Sequence, residues 1–164
     1  MATHDEDFLK RLLATFRVEA GEHIQAMSSG LVELEKMPAG EERSETVENI
    51  YREAHSLKGA ARAVNLAEME TLCHVMESVF AELKSNRVDA TPALFDLLNQ
   101  TLEALGGLLA TAGQAKSGTQ KQAVAALVRR LADALKRAPP AARDARPARA
   151  ATPTEPGVSA EPAA

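Results

Sequence analysis

One short run of the sequence holds residue types that could accept a transferred group. His55, Lys58 and Gly59 lie close together in a stretch whose apolar spacing is typical of a helix. An imidazole nitrogen is a nucleophile, and a lysine about one turn away can bind the oxygens of an incoming anion. A glycine four residues after the histidine, on the same face, leaves room for another molecule to approach the ring. The run therefore predicts a histidine that accepts an anionic group.

A second polar pair could orient this histidine. His74 and Glu77 are three residues apart in the next helical pattern and share one face. If the two helices form an antiparallel hairpin, Glu77 lies at about the same height as His55. A carboxylate that accepts the Nδ1–H of an imidazole fixes the tautomer and leaves Nε2 as the free nucleophile. The spacing thus predicts that this face of the second helical pattern meets His55.

The same residues also allow structural interpretations. A histidine at the border of a helix is often only a polar contact, Gly59 could simply permit close helix packing, and His74 with Glu77 could be a solvated face. Cys73, His55 and His74 could be considered as metal ligands, but no spacing supports a complete set of ligands. We therefore expect no metal site, and the spacing alone leaves both interpretations of His55 open.

Composition limits the classes to which this 164-residue chain can belong. Apolar residues make up 45% but aromatic residues only 3%, a balance that favours packed helices over a β-sandwich or barrel. The net charge of −4 gives no basic field for nucleic acid or an anionic membrane. The single Cys, and the absence of an apolar membrane span or signal-peptide core in the sequence, predict a cytoplasmic protein.

The first helical pattern is long. Apolar residues follow one another at gaps of three or four from Phe8 through Leu12 to Leu34, which predicts one continuous inward face. Pro38 ends the pattern. Gly21 and the Ser-Ser-Gly cluster at 28–30 weaken the helix, and a kink there is compatible with the pattern.

Four further helices should position the polar residues. The second begins near Glu41 or Ser44, the third at Asn65 as N-cap with Glu68 in the capping-box position, the fourth at Thr91 before Pro92, and the fifth spans residues 119–137. The connections are short, so neighbouring helices should be antiparallel. The predicted fold is all-α, an up-and-down antiparallel four-helix bundle with a fifth C-terminal helix.

Composition changes after Arg137. The last 27 residues hold six of the eight prolines and a single β-branched aliphatic residue, Val158. Such a segment cannot bury enough apolar area to offset the entropy lost on ordering. We therefore expect residues 1–137 to form one domain and residues 138–164 to be a disordered Pro/Ala-rich linker or tail.

Residues 55–61, with the sequence HSLKGAA, resemble the H-S-[LI]-K-G-x-[AS] signature of histidine phosphotransfer (HPt) domains. Three more stretches, at 16–22, 50–54 and 74–77, make the chain similar to the N-terminal phosphoacceptor domain of CheA-type chemotaxis histidine kinases. The similarity covers residues 5–137 and includes the fifth helix. Tyr51, where the family usually has Phe, and the continuation ARAV with Arg62 depart from the family pattern.

The resemblance implies roles for individual residues. His55 would be phosphorylated on Nε2, and Glu77 would be its hydrogen-bonding carboxylate. Lys58 would lie near the phosphoryl oxygens, and His74 would be a second member of this polar network.

The resemblance also implies partners. The ATP-bound kinase domain of the same dimeric kinase would transfer the γ-phosphoryl group to the histidine, which would pass it to an aspartate of a response regulator. Gly59, Ser56 and Arg62 would lie on the partner docking surface. The chain has no nucleotide-binding loop, so it would be part of a protein histidine kinase without being a kinase itself. It would bind no cofactor, since ATP and Mg²⁺ would be held by partner domains, and the isolated domain would be monomeric.

Two other functions stay open at this point. One is a free-standing phosphorelay HPt protein, which the length of the gene beyond Ala164 would distinguish. The other is a non-catalytic helical scaffold, which would acquire no acid-labile label from a kinase and ATP.

Overall fold

A computed structural model describes residues 3–137, and within this range it contains five helices and no strand. The helices are α1 (His4–Lys36), α2 (Glu41–Ala63), α3 (Ala67–Lys84), α4 (Pro92–Ala110) and α5 (Gly118–Lys136). Contacts of α1 with α2 and α4, and of α3 with α2 and α4, close a four-helix bundle, and α5 packs on α3 and α4. The predicted all-α bundle with a fifth helix is confirmed. Within residues 3–137, no helix is long and apolar enough to cross a membrane.

The core is built mainly from aliphatic side chains. The apolar residues that recur at gaps of three or four along α2 to α5 face inward, with Leu57, Met76, Leu98 and Leu131 among the residues that are fully buried. Each such side chain contributes about 1.5–3 kcal/mol by leaving water, before entropic costs. Val64, Val128 and Leu135 are only partly buried and pack against the core at its edge.

The turn between α2 and α3 differs from the prediction. Asn65 is not the N-cap of α3: it has a φ of 61°, and the N-cap position is held by Leu66 without a side-chain cap. Asn65 instead ends α2. Its N–H donates to the carbonyl of Arg62, and the N–H of Leu66 donates to the carbonyl of Ala61, the two hydrogen bonds of a Schellman motif. Asparagine tolerates this left-handed conformation better than most residues, so a residue type that indicates a helix start here serves a helix end.

Gly30 lets α1 and α2 approach closely. α1 runs unbroken over 33 residues, so the weak positions at Gly21 and 28–30 do not interrupt it. A Cβ built on Gly30 would lie 2.7 Å from Cγ1 of Ile50, closer than such atoms can come without movement. The glycine therefore has a packing role that offsets its low helix propensity.

Most apolar side chains in the first three turns of α1 are not covered by the described residues, although Leu13 is half-buried next to Gly113. Phe8 is 67% exposed and Leu12 is 36% exposed, and Phe16 is the first buried residue of the helix. The prediction that Phe8 and Leu12 face the core is therefore wrong. Periodicity identifies an apolar face, but it does not show whether another helix is present at that height.

We expect Gly30→Ala to destabilise the domain. The added methyl group must displace Ile50, and overpacking of this kind costs about 1–3 kcal/mol. Gly107→Ala is the matched control, because Gly107 is exposed within α4 and a Cβ there meets nothing within 4 Å. It should gain about 0.5–1 kcal/mol of helix propensity. Chemical denaturation that gives both variants the same free energy of unfolding would contradict this packing role.

The domain boundary at Arg137 stays a prediction, since residues 138–164 lie outside the described residues. Val124, Leu127 and Leu131 of α5 are buried. Truncation after Gly118 should therefore lower the melting temperature measured by circular dichroism, because it exposes the apolar surface that these residues cover. Truncation after Arg137 should leave the melting temperature unchanged. A lower melting temperature in the second variant would place the boundary further along the chain.

Candidate functional site

The hairpin of α2 and α3 brings His55 and Glu77 together. Nδ1 of His55 lies 2.8 Å from Oε1 of Glu77, within hydrogen-bond distance. The side chain of His55 is 63% exposed, whereas that of Glu77 is only 9% exposed. A buried carboxylate thus holds one nitrogen of an imidazole whose other side faces solvent.

Lys58 shares the same carboxylate. Its Nζ donates to Oε2 of Glu77 over 2.7 Å, so both oxygens of Glu77 are bound by α2. The ammonium compensates the charge that Glu77 would otherwise bury alone. An ionised carboxylate can only accept hydrogen bonds, so Nδ1 of His55 must carry the hydrogen in this contact. In the neutral ring, Nε2 then has its lone pair free. Lys58 is one turn from His55, but its charge is directed to Glu77.

Cys73 lies in the core, close enough to this carboxylate for its pKa to be affected. Burial, and secondly the negative charge of Glu77, raise the pKa of the Cys73 thiol to about 12. The thiol therefore stays neutral and is a packing residue. Within residues 3–137, no group of three or more His, Cys, Asp or Glu residues is placed to hold a metal ion.

Tyr51 stacks on one face of the His55 imidazole. Its ring lies nearly parallel to that of His55, with an interplanar angle of 11° and 6.3 Å between the ring centroids. Tyr51 is half-buried against the core, one helical turn before His55. Glu77 and Tyr51 thus restrict the imidazole at one nitrogen and on one face. The spacing of four residues places the two rings on the same face of α2, so the sequence indicates this contact.

The remaining predicted residues lie outside this hydrogen-bond network. His74 is exposed on α3, and within residues 3–137 its side chain makes no hydrogen bond to His55 or Glu77. Ser56 is exposed, and Arg62 is 78% exposed with its Nε 3.0 Å from Glu70. The roles assigned to these residues stay predictions.

Gly59 marks open space next to the imidazole. A Cβ built there would meet nothing within 4 Å, and the residue is exposed. Close packing against another described helix is therefore not the reason for this glycine. The surface beside His55 is free for a large molecule to approach.

A second histidine with the same kind of partner shows what distinguishes His55. Nδ1 of His23 on α1 lies 2.6 Å from Oε2 of Glu53 on α2, a contact that no motif in the sequence indicates. Nε2 of His23 is buried without a hydrogen-bond partner, and Glu19 is 3.7 Å away. An incoming group cannot reach this nitrogen. Of these two carboxylate-bound histidines, only His55 presents its second nitrogen to solvent.

Comparison with known proteins agrees with this geometry. The sequence model of the Hpt domain matches residues 11–107. The chain is 36% identical to the chemotaxis protein CheA of Listeria monocytogenes over 87 residues, which cover 53% of this chain and 14% of that protein. It is 31% identical over 142 residues to the gliding motility regulatory protein of Myxococcus xanthus, covering 87% of this chain and 17% of that protein.

A third relative, CheA of Treponema pallidum, is 30% identical over 122 residues, covering 74% of this chain and 14% of that protein. The chain thus spans only a small part of the length of the curated relatives it matches. The family match covers more than half of the chain and includes the helices that carry His55 and Glu77. The chain therefore belongs to the Hpt, or histidine phosphotransfer, domain family.

Proposed function

We propose that this chain is the phosphoacceptor module of a chemotaxis-type two-component histidine kinase. In this role, His55 accepts the γ-phosphoryl group of ATP and passes it to an aspartate of a response regulator. The observation that carries the proposal is the pairing of an exposed imidazole with a buried carboxylate. The names of the relatives, several of them CheA, favour a chemotaxis kinase over a free-standing phosphorelay protein.

The contact with Glu77 prepares Nε2 for attack. Because Nδ1 donates its hydrogen to the carboxylate, the lone pair of Nε2 points away from the bundle. This lone pair would attack the γ-phosphorus as the bond to the ADP oxygen breaks. The product is a phosphoimidazole with a positive ring and a hydrogen on Nδ1. Glu77 stabilises that charge, since it already binds the hydrogen.

The exposure of His55 suits transfer between macromolecules. A phosphoryl carrier must be reached first by a kinase domain and then by a receiver domain, so its acceptor atom cannot lie in a closed pocket. His55 is open on the side of Gly59, where no described side chain intervenes. We place the docking surface for both partners here and include Ser56 and Arg62 in it. The positive charge of Arg62 suits the acidic surroundings of a phosphoaccepting aspartate.

ATP and Mg²⁺ belong to the partner domains in this proposal. The matched region covers 14% of the Listeria protein, so the ATP-binding domain is expected elsewhere in the same dimeric kinase. No cofactor is expected on this domain. Because ATP is the phosphoryl donor in this proposal, we expect the reaction to take place in the cytoplasm.

We expect His55→Gln to abolish phosphorylation while the fold is retained, because the side chain is mostly exposed. The measurement is transfer of radioactive γ-phosphate from ATP by a chemotaxis kinase core, with a label lost in acid and stable in base. His23→Gln is the matched control, since it removes the histidine whose Nε2 is buried, and it should be labelled normally. Stoichiometric labelling of the His55→Gln variant would contradict the assignment, and a parent protein that acquires no label would favour the scaffold alternative.

Glu77→Ala should slow phosphorylation without abolishing it. The carboxylate orients the imidazole and fixes its tautomer, a contribution worth about 10–100-fold for comparable supporting groups. Nitrogen NMR of the imidazole should show both neutral tautomers in the variant and one in the parent protein. Glu53→Ala, which removes the partner of His23, should change neither the rate nor the His55 spectrum. An unaltered tautomer in Glu77→Ala would remove this residue from the positioning role.

A further inference from the structure

The hydrogen bond to Glu77 determines which edge of the His55 imidazole faces the bundle, but not how far the ring tilts about that contact. Nδ1 lies 2.8 Å from Oε1 of Glu77, and the side chain of His55 is 63% exposed. The χ2 torsion of a histidine has broad energy wells, so a ring held at one atom can still tilt. The lone pair of Nε2 lies in the plane of the ring, and the tilt therefore decides where this lone pair points. A second contact is needed to fix its direction.

The ring of Tyr51 supplies this second contact. The two rings are 11° from parallel with their centroids 6.3 Å apart, within the roughly 4.5–7 Å over which aromatic pairs interact in proteins. Tyr51 precedes His55 by one helical turn, and the side chains of a helix lean toward its N-terminus, so the imidazole leans toward the turn that carries Tyr51. Tilting the imidazole would break the stack. Tyr51 therefore restrains the motion that Glu77 leaves open.

Tyr51 can orient another ring because it is itself held by the core. Its side chain is half-buried and packs against the hydrophobic core, whereas that of His55 is mostly exposed. Ile50 and Ala54, on the same turn of α2, are buried and fix this turn of the helix to the bundle. The core thus sets the plane of the imidazole through Tyr51.

We propose that Tyr51 is a positioning residue for phosphoryl transfer: its ring holds the plane of the His55 imidazole so that Nε2 is directed at the incoming phosphorus. This proposal rests on the proposed function. In the transfer, the bond from Nε2 to phosphorus forms as the bond from phosphorus to the ADP oxygen breaks, and Tyr51 exchanges neither a proton nor an electron pair. Because Tyr51 acts through His55, its ring affects how fast a docked imidazole reacts and not how tightly the kinase docks.

The first test measures phosphorylation of the full 164-residue chain by a chemotaxis kinase core and ATP, with the chain as the varied substrate. Tyr51→Leu should lower kcat about three- to tenfold, the size of an aromatic pair interaction, while KM changes less than about twofold. Tyr51→Phe should keep the parent kcat, because it retains the ring. Val64→Ala is the control for lost packing: Val64 is also partly buried against the core, but it is the C-cap of α2, away from His55. This variant should keep both constants.

Three results of this test would overturn the positioning role of Tyr51. They are a Tyr51→Leu variant with the parent kcat or with a change in KM alone, a Tyr51→Phe variant as slow as Tyr51→Leu, and an equal loss in Val64→Ala. A parent chain that acquires no label would instead contradict the proposed function. Circular dichroism monitors the fold, and Tyr51→Met is the second non-aromatic variant in case leucine unfolds the domain.

The second test requires no kinase and measures the motion of the ring itself. Carbon-13 relaxation of the Cδ2–H and Cε1–H groups of His55 should give lower order parameters in Tyr51→Leu than in the parent chain or in Tyr51→Phe, because the unstacked ring tilts on the picosecond to nanosecond timescale. Nitrogen NMR should show the parent tautomer in all three proteins, since Glu77 still binds the hydrogen on Nδ1. Variants of Tyr51 and of Glu77 thus separate the plane of the imidazole from its tautomer. Equal order parameters in Tyr51→Leu and the parent chain would overturn the proposal whatever the labelling rate.

Discussion

The functional surface depends on one buried carboxylate. Glu77 is held in the hairpin of α2 and α3 with both oxygens bound, one by Nδ1 of His55 and one by Nζ of Lys58. Burying an acid is costly unless its charge is compensated and its lone pairs are occupied, and α2 supplies both conditions from residues three apart. The same contacts that make Glu77 tolerable in the core hold the imidazole in one orientation. The same hydrogen bonds therefore stabilise the hairpin and fix the orientation of the His55 imidazole.

Much of this arrangement could be predicted from the sequence, because it lies within a single hairpin. A short turn fixes which residues of two antiparallel helices stand at the same height, so the position of Glu77 relative to His55 follows from counting along the chain. The burial of the stripes on α2 to α5 follows from the helical period in the same way. A polar pair of this kind occurs in many helical proteins, but the motifs around His55 and Glu77 resemble those of one domain family. The match to the Hpt family model confirms that assignment.

The contacts that could not be predicted depend on side-chain rotamers and tertiary packing, which the local sequence pattern does not determine. The distance between Lys58 and Glu77 depends on which rotamer the lysine adopts. The pair of His23 and Glu53 also joins two adjacent antiparallel helices, but no motif in the sequence distinguishes it from the other polar residues of those helices. Asn65 fits both a helix start and a left-handed helix end, and the tertiary position of the turn decides between them. The exposure of Phe8 depends on the length of its neighbours, which its own spacing does not encode.

The Schellman turn at Asn65 fixes the register between α2 and α3. His55 and Glu77 lie on opposite arms of the hairpin, so the number of residues between them fixes both height and facing direction. One extra residue in α3 between this turn and Glu77 would rotate Glu77 by about 100° around the helix axis and shift it by about 1.5 Å, which turns the carboxylate away from the imidazole. An insertion in the connection between α3 and α4 leaves that count untouched. Length variation among proteins that keep this chemistry should therefore accumulate in the later connections, while the span from His55 to Glu77 stays constant.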